Sequence, residues 1–223
     1  GFCYWHYWFG NGKRLIADIF DEVLNSGKPD FPFCLGWANH SWFAKNWNSD
    51  GTSTNKLLIE QTYPGIEDEK MHFAFLLKAF KDERYIKVNG APLLYIFAPK
   101  DVPQEYLDNF KKWTKDAGFP DLYLVGNITH PSLTKESLLA IGYNAVSYQR
   151  LGGITSNALR NMGRAGRGIH RVWQNVKGFI THRPPFMTDY KKYLPLLVTE
   201  EDKARDVIPC IIPQWDHTPR SGW

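Results

Sequence analysis

The chain has 223 residues, 43% of them hydrophobic and 15% aromatic, which supplies ample apolar surface for a packed core and excludes a disordered chain. Its net charge of +4 comes from acids and bases interspersed over most of the length, which argues against a general nucleic-acid binder. The three cysteines, Cys3, Cys34 and Cys210, lie in apolar runs with neither metal-ligand spacing nor a disulfide framework, so free thiols, a reducing cytoplasmic compartment and no metal or cofactor are expected.

Six of the first nine residues are aromatic, with His6 a seventh ring among them, and the run reads as a strand over residues 2–8. A strand alternates its side chains between two faces, so one set of rings can fill a core while the other lines a cleft. Leu15, Ile16, Ile19, Phe20, Val23 and Leu24 form a helical stripe closed by Gly27. A second strand is expected over 31–38. Acids Glu67, Asp68 and Glu69 then open a second helix bearing Phe73, Leu76 and Phe80. Asn89-Gly90 is a type I′ hairpin signal ahead of a strand at 93–97. Tyr106, Leu107, Phe110 and Trp113 mark a third helix, ended by Gly118 and Pro120, and a shorter one follows Ser132. Further strands are expected at 122–127, 145–149 and 208–214.

Strands alternating with helices indicate an α/β fold with a parallel sheet, either open and doubly wound or closed as a barrel. Phe9-Gly10-Asn11-Gly12-Lys13 lacks the third glycine of a dinucleotide-binding turn, which favours the barrel. The expectation is one (β/α)8 TIM-type barrel domain over 1–223, incomplete because the first and last strands are missing: the chain opens inside a strand, ends in a loop, and so reads as a fragment. No apolar run approaches the length of a membrane span. Residues 151–188 carry six bases (Arg160, Arg164, Arg167, Arg171, Lys177, Arg183) and no acid. That excursion is either a solvated variable segment or a patch for an anionic sugar, a phosphorylated carrier or a membrane surface.

Barrel function gathers at the C-terminal ends of strands. There the chain places His6, Tyr7 and Trp8; Trp37, Asn39, His40, Trp42 and Trp47; Tyr95; Gln149; and Trp215, Asp216, His217 and Arg220. Polar groups alternating with tryptophan suit a polyhydroxylated ligand, whose C–H faces stack on rings while its hydroxyls form hydrogen bonds. Each of these residues can equally cap the barrel or satisfy a loop. Glycosyl chemistry usually employs two carboxyl groups. The best placed are Glu60, in an apolar run that could bury it, and Asp216, with Asp50 and Asp101 behind them; His40 is a further weak catalytic candidate. They make no convincing pair.

Taken in order, Gly-Phe-Cys-Tyr-Trp-His-Tyr-Trp-Phe from Gly1, Lys-Pro-Asp-Phe-Pro-Phe-Cys-Leu-Gly-Trp-Ala-Asn from Lys28, Leu-Leu-Ile-Glu-Gln-Thr-Tyr-Pro-Gly from Leu57, Phe-Lys-Asp-Glu-Arg-Tyr-Ile-Lys-Val-Asn-Gly from Phe80 and Trp-Asp-His-Thr-Pro-Arg from Trp215 resemble the WbsX-like family. Its members are described as glycosyltransferases of lipopolysaccharide O-antigen biosynthesis or as glycoside hydrolase family 99-like proteins. The resemblance implies a (β/α)8 barrel and a bacterial protein that forms or cleaves glycosidic bonds in a cell-surface polysaccharide. Its expected partners are an oligosaccharide or polysaccharide and a nucleotide-sugar or lipid-linked donor. Two departures limit it. Many relatives have Glu where this chain has His40, and the Glu-x-x-Glu of family 99 hydrolases does not occur here, so a hydrolase would need its carboxylates beyond residue 223. A non-catalytic glycan-binding barrel is the alternative from another class.

Overall fold

A computed structural model describes residues 1–47, 53–130, 132–150, 163–181 and 190–211. The chain divides into two compact units, Gly1–Asn127 with Lys135–Val146, and Ile128–Thr134 with Ser147–Trp223.

In the first unit β1 (Phe2–Trp8), β3 (Phe33–Trp37), β7 (Ala91–Ile96) and β8 (Tyr123–Ile128) lie side by side in chain order, β1 parallel to β3, β3 to β7 and β7 to β8. Helices α1 (Asp18–Ser26), α2 (Ile66–Phe80), α3 (Gln104–Asp116) and α4 (Lys135–Ala140) fill the gaps between successive strands, and β9 (Ala145–Tyr148) follows β8 in the sheet. The helices pack on one face. Phe20 of α1 meets Tyr4 and Phe33, His72 of α2 meets Trp8 and Trp37, Tyr106 of α3 meets Trp37, and Leu138 of α4 lies over Gly126. Strands added in chain order with helices on one side differ from a doubly wound sheet, whose strand order reverses at a switch point. The result is a mixed α/β fold with a mostly parallel sheet. Closure into a barrel is not among the pairings of the described residues.

Several boundaries depart from expectation for local reasons. Leu15 and Ile16 do not join the first helix. Gly10, Asn11 and Gly12 all take positive φ and reverse the chain, so β2 (Arg14–Leu15) returns antiparallel to Tyr7 and Trp8; Ile16 at φ 52° then breaks the backbone before Asp18. Gly27 ends α1 in the left-handed region at φ 69°, as its place after the stripe predicts. Asn89 and Gly90 both have positive φ and join β6 (Lys87–Val88) to β7. Between Trp42 and Ile59 stands an antiparallel hairpin, β4 (Trp42–Trp47) and β5 (Ser53–Ile59), in a stretch for which the sequence predicts no strand. Arg84 ties the connection after α2 to the end of α1: it pairs with Asp82 and donates to the carbonyls of Val23 and Pro29.

The second unit holds the end of β9, α5 (Gly163–Thr181), α6 (Tyr190–Leu197), a 3₁₀ turn over Glu200–Lys203 and β10 (Val207–Ile208). β10 is far shorter than the strand expected over 208–214, whose residues past 211 lie outside the described ones. Arg150 organises the unit, donating to Asp202 at 2.8 and 2.9 Å, to Glu201 at 3.2 Å and to the Leu197 carbonyl. Burial alone would raise the Asp202 pKa, but hydrogen bonds from Arg150 and Thr199 hold it below the usual carboxylate range.

Candidate functional site

The alternation of β1 divides the opening aromatic run in two, and the division differs from the one the strand-end reading chose. Tyr4, His6 and Trp8 face the helices, together with Phe33 and Trp37 of β3. Trp5 and Tyr7 face the other way. His6 and Trp8 are therefore core residues, with their polar atoms engaged inside the protein. His6 Nε2 lies 2.7 Å from His72 Nε2, and His72 Nδ1 lies 2.8 Å from the Tyr106 hydroxyl, a three-member buried chain. Trp8 Nε1–H donates to both Asp68 oxygens, at 3.0 and 3.2 Å, and Asp68 also accepts the Gly12 N–H. Asp68 occupies the first turn of α2, where the helix dipole favours a carboxylate. Trp37 is 1% exposed and donates its indole N–H to the Trp8 carbonyl. Burial, with Arg14 nearby, pushes the His6 pKa down to about 3; His72 is lowered in the same direction by burial, His6 and Arg14. Two neutral imidazoles share the core.

Asn39 is also buried, and acts as a clamp between strand ends. Its side-chain oxygen accepts the Ala98 N–H at 2.8 Å, and its amide donates to the Ala98 carbonyl at 2.7 Å and to the Tyr63 hydroxyl at 3.1 Å. Burial pushes the Tyr63 pKa up to about 12, so its hydroxyl keeps its proton at neutral pH.

On the face away from the helices the side chains form an aromatic shelf. Trp5 is 44% exposed and pairs in register with Gly36, where a Cβ would stand 3.1 Å from the indole; the absent side chain is what lets the ring lie across β3. Tyr95 and Phe97 each present their rings to Trp5 edge-on, with centroids 5.8 Å away. His40 lies against Phe97, at 4.8 Å between ring centroids. Asn127, at the end of β8, donates to the Phe97 carbonyl at 3.3 Å, while its Oδ1 is buried and has no partner among the described residues. Tyr7 packs edge-on against Trp42 at 5.3 Å, and Trp42 also meets Phe9, which seats the β4–β5 hairpin beside the end of β1. Thr62 holds the other foot of the hairpin, its N–H and hydroxyl both donating to the Phe9 carbonyl.

Of the expected site residues, then, Tyr7, His40, Trp42 and Tyr95 gather around the shelf, whereas His6, Trp8, Trp37 and Asn39 support it from within. Glu60 is exposed past the end of β5, so its apolar run does not bury it: Leu57 and Leu58 are exposed as well. Gln149 lies in the second unit, its N–H donating to the Ile128 carbonyl. Asp50, Arg160, Arg183, Trp215, Asp216, His217 and Arg220 fall outside the described residues. Trp5, Phe97 and Asn127 were not anticipated. The parity of β1 carried the signal for Trp5, since it shares a face with Tyr7.

Comparison with known proteins agrees with the sequence motifs. The family model described as "Glycosyltransferase WbsX" matches residues 1–223. The chain belongs to the WbsX glycosyltransferase family. A relative described as the uncharacterized protein WxcX, from two strains of Xanthomonas campestris pv. campestris (B100 and ATCC 33913), is 28% identical over 125 residues, or 55% of this chain. The chain matches only 17% of that relative's length. No solved structure matches. Among the described residues no group of three or more His, Cys, Asp or Glu side chains is placed to hold a metal ion, and no helix is long and apolar enough to cross a membrane.

Proposed function

We propose that this WbsX-family chain is the sugar-binding barrel domain of an enzyme that forms glycosidic bonds in a bacterial cell-surface polysaccharide, and that a sugar ring stacks on the Trp5 shelf. The observation that carries the reading is the exposed Trp5 indole, framed by Tyr95 and Phe97, with Asn127 Oδ1, which has no partner among the described residues, at the same end of the sheet. An aromatic face receives the C–H side of a pyranose, and a buried amide oxygen left without a donor is costly until a hydroxyl reaches it. His40 and Tyr7 add hydroxyl-binding groups at neighbouring strand ends. The strand order and one-sided helices support a (β/α)8 barrel over this shelf, since that sheet exposes its C-terminal ends together.

Transfer is favoured over hydrolysis by the family itself, and the donor is then an activated sugar, either nucleotide-linked or lipid-linked. The test incubates the protein with a lipid-linked or free oligosaccharide acceptor and a panel of nucleotide sugars. Acceptor extension that falls at least tenfold in Trp5→Ala, with unchanged thermal stability, is the expected result. Release of sugar to water with no extension would replace transfer by hydrolysis, and oligosaccharide binding unaffected by Trp5→Ala would remove the shelf as the site.

A further inference from the structure

Helix α5 turns the basic excursion into a surface of defined chemistry. Over Gly163–Thr181 it buries none of its residues and carries Arg164, Arg167, Arg171 and Lys177 with no acid. Ile169, Val172, Trp173, Val176 and Ile180 recur at helical spacing, and with Phe179 they occupy an arc of about 120° at 100° per residue. All six are exposed, Trp173 by 62% and Phe179 by 84%. The bases lie outside that arc. The helix also contains four glycines, Gly163, Gly166, Gly168 and Gly178, each of which weakens it in water relative to alanine. A glycine-containing helix with no buried residue draws its stability from whatever covers its apolar stripe.

We propose that α5 lies flat on an anionic lipid bilayer, its Ile169–Ile180 stripe in the acyl boundary and its arginines among the headgroups. Interfacial helices have this composition: a narrow apolar face with aromatic residues, a cationic polar face and low overall hydropathy. Spanning is ruled out for α5, which is not apolar enough to cross a membrane. A second copy of the same helix would bury the stripe but leave Arg164, Arg167 and Arg171, which lie about 120–180° from the centre of the stripe, with no anionic partner on this acid-free helix. A purely polyanionic partner such as nucleic acid would engage the arginines and leave six apolar side chains in water. The inference is independent of the sugar chemistry.

The test is flotation of the protein with vesicles of phosphatidylglycerol and phosphatidylcholine, against phosphatidylcholine alone, at low and high salt. Strong flotation with the anionic vesicles, weakened by salt, is expected. Arg164→Glu/Arg167→Glu/Arg171→Glu lowers the partition about a hundredfold or more, and Trp173→Glu/Phe179→Glu abolishes it. All five positions are on a helix that buries nothing, so both variants keep the melting temperature of the parent. Three results overturn the proposal: no flotation with anionic vesicles, dimerisation lost in Trp173→Glu/Phe179→Glu without vesicle binding, or binding of duplex DNA that persists in that variant while vesicles are ignored.

Discussion

His6 and His72 set an acid limit on the first unit. Each imidazole titrates near pH 6.5 in the unfolded chain, whereas burial keeps both neutral in the fold, with His6 at about 3. Below pH 6.5 the unfolded chain therefore binds protons that the folded one refuses. Their contribution is complete above that pH and is lost as pH falls, at about 1.4 kcal/mol per pH unit for each ring. Chemical denaturation between pH 7 and pH 5 should record this loss, and His6→Gln should reduce its slope by about half; an unchanged slope would mean that the pair does not stay neutral. The two tryptophan environments make a second contrast. Trp37→Ala removes a fully buried indole and should cost about 3–5 kcal/mol of stability, whereas Trp5→Ala should cost under about 1 kcal/mol and act on ligand binding instead. Denaturant midpoints of the two variants, measured side by side, decide it.

At the scale of elements, the clamp made by Asn39 joins the segment just past β3 to Ala98, two residues past β7, and to Tyr63. Asn39→Leu leaves the Ala98 N–H and carbonyl without their side-chain partners and should destabilise by about 2–4 kcal/mol. Hydrogen exchange at the Ala98 amide should accelerate with it, and an amide that stays protected would show another group taking over. What the sequence made readable follows from the same local physics. The strands at 2–8 and 93–97 and the helices opened by Glu67 and closed by Gly27 were legible because period and caps agreed. The β4–β5 hairpin was not, because Trp42 and Trp47 read as rings on a strand-end loop and Leu57–Ile59 as a separate apolar run beside Glu60. Helix α5 hid behind its glycines and arginines, although Ile169, Val172, Trp173, Val176 and Ile180 already stood at helical spacing. The site was legible by location but not by face: strand ends drew attention to His6, Trp8 and Trp37, whereas strand parity decides which rings meet a ligand, and only the helix contacts reveal which parity faces the core.

For the whole molecule, the two compact units rest on different kinds of interaction, and this difference can be measured. The first has an aromatic core under four helices, with His6, His72 and Tyr106 at its centre. The second depends on the ion pair between Arg150 and Asp202, whose side chains are 14% and 2% exposed, with Asp202 also receiving the Thr199 N–H. Asp202→Asn leaves Arg150 short of its most buried partner and should cost about 3 kcal/mol. Asp202 titrates below its unfolded value, so its contribution stands above about pH 4 and is lost as pH falls through its lowered folded pKa, well under the window in which the histidines act. Calorimetry at neutral pH should then show Asp202→Asn and His72→Gln moving different parts of the unfolding endotherm, and lowering pH from 7 to 5 should move only the part sensitive to His72. A single transition shifted equally by both substitutions would show that the units unfold as one.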